Sequence, residues 1–335
     1  MAASARPHGW RVPPPATSDM VRWPAAFGTR FLVVVDVEEE FDWTAPFDRL
    51  HRATTAMRAL PAAHRRLRAA GVSPAYMVDY PIAADPAAVA ILRDATVDGL
   101  SAIGTQLHSW VTPPHDEIVS LANSFQGNLP RALEAAKLDR LTDAVTAAFG
   151  GPPQAFRAGR YGIGPASRAL LADRGYRVDL SVRARYDYSA QGGPDFSDLG
   201  NDAYRTDGLV EIPSSTIFTG VLRCWGASLH PLLAKVSRGA AVASKSRLLS
   251  RVALTPEGMS ERDVLAAIDI AAASGERLLV LSFHSPSLEP GHTPYVRDAQ
   301  DLAAFWRWWD VVLARLARHG IVHASLAEVI AAAGA

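Results

Sequence analysis

The chain has 335 residues, with 34 Lys plus Arg against 34 Asp plus Glu, and about half of it is apolar. Balanced charge without a basic stripe argues against a nucleic-acid partner. The single cysteine, Cys224, excludes an internal disulfide and any cysteine-based zinc knuckle.

Residues 1–28 carry prolines and charges but no long apolar run, so they lack the h-region of a secretory signal. They are expected to form an N-terminal extension ahead of one domain over 29–335. No stretch approaches the ~18 apolar residues of a spanning helix, so the expectation is a cytoplasmic protein. "FLVVVD" (31–36) reads as a buried strand that runs straight into four carboxylates: Asp36, Glu38, Glu39 and Glu40. A helical pattern near 50–70 is interrupted at Pro61. Strand 74–79, helix 85–95 and strand 100–108 follow, the last ending at His108. A helix over 129–149 precedes strand 154–158, and a helix over 164–175 precedes strand 178–182. Turn-rich 183–208 is expected to be a surface excursion; after strand 209–215, residues 216–258 form a second one of undetermined structure. Helix 259–274, strand 277–284, helix 298–318 and a short strand 321–325 complete the order. Regular β–α alternation with seven or eight strands predicts an α/β fold, a distorted (β/α)7-8 barrel of one domain. No glycine-rich phosphate loop follows the first strand, which disfavours a dinucleotide fold.

Barrel active sites lie at the C-terminal strand ends. Asp36 and Glu38, His108 and His115, Arg157 and Arg160, Asp179 and His284 all fall at or just beyond such ends. Two imidazoles and one carboxylate make an open metal set. Glu39 and Glu40 also read as helix caps. Asn123, Asn128 and Tyr295 sit in loops suited to sugar contacts, with ordinary turn residues as the alternative. In "FWRWWD", Phe305 and Trp308 at i, i+3 predict packing of a helix on the barrel rather than a sugar platform.

In motif order over roughly 30–290, the chain resembles the polysaccharide deacetylases (NodB homology, carbohydrate esterase family 4). "VVDVEEE" aligns Asp36 with the family's general base. Val37 stands at the usual metal-ligand position, so an Asp-x-Asp spacing would pass that role to Glu38, with Glu40 and Asp42 as substitutes. "IGTQLHSWVTPPH" has Gln106 at the usual first histidine, leaving His108 and His115 as the imidazole ligands. "FRAGRYG" aligns Arg157 with the arginine that pairs with the base, and places Arg160 and Tyr161 on the substrate groove. "LSFH" aligns His284 with the general acid. Asp179, or Asp187 after it, falls where the family carries an acid that orients that histidine.

The resemblance implies a metal-dependent hydrolase that removes N-acetyl or O-acetyl groups from an amino sugar. The ion expected is Zn2+, with Co2+, Ni2+ or Fe2+ as alternatives. The expected partner is carbohydrate, with no nucleic acid, no membrane span and the oligomeric state open. A glycosidase using two carboxylates on the same barrel and a catalytically inactive carbohydrate-binding homologue are the alternatives.

Overall fold

A computed structural model describes residues 9–334. Its strands are β1 (Arg30–Val37), β2 (Ala75–Val78), β3 (Ala102–Leu107), β4 (Ala155–Ala158), β5 (Val178–Asp179), β6 (Tyr204–Thr206), β7 (Leu209–Glu211), β8 (Thr216–Thr219), β9 (Ser250–Ala253), β10 (Leu278–His284) and β11 (Val322–His323). The helices are α1 (Leu60–Ala69), α2 (Tyr80–Ala84), α3 (Pro86–Thr96), α4 (Arg131–Phe149), α5 (Ser167–Ala172), α6 (Gly226–Ala234), α7 (Gly239–Lys245), α8 (Glu261–Ser274), α9 (Ala299–Arg318) and α10 (Leu326–Ala333). Pro61 falls in the first turn of α1, where its missing N–H costs nothing. A short 3-10 turn, Thr55–Ala59, occupies the stretch before it.

The main sheet runs β10-β1-β2-β3-β4-β5-β7-β6, with β11 added beside β1. All pairings are parallel except β6 with β7. Strand pairing does not join β7 to β10. Chain after β7 bridges part of that gap, since Ser215 N–H donates to the Val280 carbonyl (3.4 Å) and Val280 N–H to Ser215 Oγ (2.9 Å). The result is a curled half-barrel with helices outside. Residues 216–258 resolve into an antiparallel β8–β9 hairpin that encloses α6 and α7.

Side-chain alternation decides what points where. In β1, Phe31, Val33, Val35 and Val37 pack in the cluster under the helices, whereas Leu32 and Val34 belong to a second cluster inside the barrel. Asp36 continues the inner row. In β4, Phe156 and Ala158 face the helices and Ala155 faces inward, so Arg157 points inward too. In β10, Leu279, Leu281 and Phe283 face the helices, which leaves His284 on the inner row. Phe283 meets Phe305 and Trp309 of α9 edge-on, at 5.4 and 5.6 Å, so the tryptophan-rich stretch packs the helix on the barrel.

Candidate active site

At the C-terminal mouth of the barrel, Arg157 Nε lies 2.9 Å from Asp36 Oδ1, with both side chains almost fully buried. The rest of the guanidinium is fixed by the Leu180 carbonyl, Ser214 Oγ and the Tyr161 hydroxyl. Asp36 Oδ2 is 3.6 Å from His284 Nε2. On the far side of that ring, Nδ1 lies 2.6 Å from Glu257 Oε2, and Glu257 Oε1 accepts the His284 backbone N–H at 3.0 Å. Ser287 Oγ donates to the same Oε1. Burial opposes a charged His284, but Glu257 and then Glu38 outweigh it and hold the imidazole pKa well above its ordinary value.

Beside this run lies a second one. His108 Nδ1 is 2.8 Å from Glu39 Oε2, and Trp110 Nε1–H donates to Glu39 Oε1 at 2.9 Å. With its proton on the Glu39 side, His108 presents the Nε2 lone pair towards Glu38 Oε2, 3.5 Å away. Gln106 Nε2 donates to the same Glu38 oxygen at 3.3 Å. Glu38 Oε1 and Gln106 Oε1 are buried without a hydrogen-bond partner among the described residues. Burial pushes the Glu38 carboxyl up to about 8, against the pull of His284 and His108. Trp110 stacks on the His108 ring at 4.3 Å and Phe41 meets it edge-on. Gly159 explains how the ring fits, because a Cβ there would collide with the imidazole and the Leu107 carbonyl.

Glu39, Asp79 and His108 form a buried group whose donor atoms all lie within 4.8 Å of one another and could hold a divalent ion. Burial raises the pKa of both acids. Their atoms are already engaged, however. Asp79 Oδ2 accepts the Glu39 N–H and Oδ1 accepts Ile82 N–H at the start of α2. The unsatisfied oxygens lie on the other face of His108, at Glu38 and Gln106. Burial thus raises the pKa of three carboxyls, Glu38, Glu39 and Asp79, around one imidazole.

Several expected site residues lie elsewhere. His115 is not with His108: its Nε2 is 2.7 Å from Arg52 Nη2, on a loop braced by Lys137, whose ammonium donates to the carbonyls of Ser109, Thr112 and Pro114. Asp179 does not orient His284. Its neighbours Val178 and Leu180 face the barrel interior, so Asp179 points outward, where Oδ1 accepts from Ser181 N–H near Arg168 and Glu211. Glu257 holds the position expected for Asp179. Asp187 caps a turn at Ser189. Asn123 and Asn128 tie loops together through the carbonyls of Ile118, Ala122 and Gly192, and neither lines the cavity. Glu39 is a buried partner of His108 rather than a cap, while Glu40 does cap the 3-10 turn through Thr55 and the Ala56 N–H.

Asp36, Glu38, Gln106, His108, Arg157 and His284 line one cavity of about 420 Å³ with Arg160, Tyr161 and Tyr295. Aromatic walls, Phe41, Trp43, Phe47, Trp110 and Tyr188, surround these polar groups. Trp43 meets both His284 and Tyr295 edge-on, at 5.1 and 5.7 Å. Arg160 and Tyr161 adopt left-handed backbone conformations, φ 54° and 60°, an uncommon strain for two successive non-glycine residues and one that clusters at functional sites.

The curled, mostly parallel half-barrel carries acids, imidazoles and an arginine at its C-terminal mouth, and its fold is shared with solved structures. No family model matches the chain, and no curated protein is similar to it in sequence. Solved structures share the fold at low identity. One is the Puue allantoinase, with a TM-score of 0.53 at 13% identity over 99% of this chain and 97% of that one. Another is a protein from Mycobacterium smegmatis assigned to the polysaccharide deacetylases, with a TM-score of 0.51 at 15% identity over 93% and 92%.

Proposed function

We propose that the chain is a metal-dependent hydrolase that removes an N-acetyl or O-acetyl group from an amino sugar, in a polysaccharide, a lipid-linked glycan or a sugar precursor. The observation that carries this reading is the unbroken run Arg157–Asp36–His284–Glu257 facing Glu38 and His108 across one cavity.

A divalent ion would be held by the unpartnered Glu38 Oε1 and Gln106 Oε1 together with His108 Nε2, which faces Glu38. Such donors suit Zn2+, with Co2+, Ni2+ or Fe2+ as alternatives. Once bound, the ion supplies Lewis acidity that polarises the acetyl carbonyl and lowers the pKa of water.

The chain's own residues do the rest. Asp36 takes the proton of the attacking water, and Arg157 aims that carboxylate through the contact of its Nε with Oδ1. Glu39 fixes the tautomer of His108. His284, favoured as imidazolium by Glu257, donates its Nε2 proton to the departing amine or alcohol, which is otherwise a poor leaving group. Tyr161 and Arg160 border the sugar, and Trp43 with Tyr295 walls the side next to His284.

The test is acetate release from N- and O-acetylated amino sugars before and after chelation, with Zn2+ added back. Release that stops on chelation and returns with metal supports the reading. A metal-loaded protein that frees no acetate from any of them refutes it. The likeness in fold to an allantoinase favours a second reading, in which the same groups hydrolyse a small allantoin-like amide. That reading predicts turnover of allantoin and none of acetylated sugars.

A further inference from the structure

Between Glu211 and Glu257 the sequence has no Asp or Glu, yet it carries Arg223, Lys235, Arg238, Lys245, Arg247 and Arg251. All but Arg251 are exposed, Lys245 at the end of α7 and the others in the turns that flank α6 and α7. Among the described residues none of these five forms an ion pair, so their charge is free. The same stretch exposes Val221, Trp225, Leu232, Val236, Val242 and Leu248, each 46% to 72% accessible. Nearly half of the large apolar side chains exposed among the described residues thus lie within 28 positions. These helices do little for the core. Gly226 and His230 are the buried residues of α6, and Ala243 is the one of α7.

An ordinary solvated face carries mixed charge and scattered apolar groups. The excursion's own charged residues are all cations, interleaved with Trp, Leu and Val and bordered by Arg262 and Asp263 of α8, a composition suited to a lipid headgroup layer. A two-fold contact with a second copy would set five unpaired cations against five. An anionic bilayer satisfies both halves of the pattern at once, since headgroups neutralise the cations while the apolar side chains enter the acyl boundary. No described helix is long and apolar enough to cross a membrane, so the contact is peripheral.

We propose that the α6–α7 excursion is a docking surface for an anionic lipid bilayer. This inference stands independently of the hydrolase reading, because its evidence lies outside the cavity. If both hold, the substrate is presented at a membrane surface, as a lipid-linked glycan would be.

The experiment is co-sedimentation of the full chain with vesicles of phosphatidylcholine alone or mixed with phosphatidylglycerol. Cys224, exposed beside Trp225, carries an environment-sensitive fluorophore. The expected result is pelleting with the anionic vesicles, release by salt, and a blue shift of the probe. Two surface variants, R238E/K245E and W225S/L232S/V236S, should each reduce the bound fraction at least tenfold with unchanged circular dichroism and melting temperature. Absence of pelleting, or pelleting that neither variant weakens, overturns the proposal. So does sedimentation showing a dimer that these substitutions dissociate, which would assign the face to a second copy. None of these readouts requires turnover, so a failed hydrolase assay leaves the test intact.

Discussion

Glu257 grips His284 twice, taking its ring Nδ1–H through Oε2 and its backbone N–H through Oε1. The acid is delivered by the segment after β9, not by the strand at 178–182. Glu257→Gln should lower kcat by about 10²-fold, with little change in KM. Asp179→Asn, which disturbs the Arg168–Glu211 cluster, should lower the melting temperature and leave the kcat of folded protein intact. Acetate-release kinetics beside thermal melts separate the two.

Arg157→Gln should abolish activity and also destabilise the fold. It strands Asp36 as a buried charge, an uncompensated loss of about 3–5 kcal/mol. The double variant Arg157→Gln/Asp36→Asn should recover much of that stability in urea titrations while staying inactive.

Metal content should follow His108 and ignore His115. His108→Ala should lower bound Zn2+ by at least tenfold, about the loss expected for a ligand or its close support, while His115→Ala binds as the wild type does. Gly159→Ala, which drives a methyl group into the His108 ring, should mimic His108→Ala. Metal analysis after dialysis gives the answer without any activity assay.

Arg160 and Arg183 line the cavity, and among the described residues neither has a carboxylate partner. Arg160 sits over Phe125 and Phe47, and Arg183 over Tyr186 at 3.9 Å. Burial lowers the Arg160 pKa to about 10, which still leaves it charged at neutral pH. Acetylated sugars bearing a carboxylate or phosphate should therefore bind more tightly than neutral ones. Arg160→Gln and Arg183→Gln should each reduce the ratio of the two affinities, measured by calorimetry.

Away from the site, His323 is held neutral. Burial depresses its pKa to about 4, and Nε2 accepts the Ser73 N–H at 3.3 Å. The unfolded chain takes up this proton near pH 6.5 and the folded chain only near 4. Stability present above pH 6.5 should accordingly be lost as the pH falls through that window. His323→Gln should flatten the decline in melting temperature.

Most of the fold was legible because strand alternation and helix periodicity are local signals. Asp36, Arg157 and His284 stood out as polar residues on inward rows of apolar strands. The same test bears on Asp179, since Val178 and Leu180 leave it on the outward row. It also bears on Val37, whose parity sends it to the helices and passes any ligand role to Glu38. His115 misled because a short loop between two histidines says nothing about its path; Lys137, from a distant helix, decides that path. Glu257 lay in a segment without strand periodicity long enough to assign. Its one signal was the one Asp36 gave, an acid just past an apolar run, here "VALTPE".

Asp36 is the Cα partner of His284 across β1 and β10, and Gln106 is that of Arg157 across β3 and β4. Backbone hydrogen bonds therefore act as the ruler for the chemistry, setting the spacing of reactive groups before any side chain is chosen. A scaffold measured out this way can exchange the groups on those rungs and take up a different reaction while its frame stays the same.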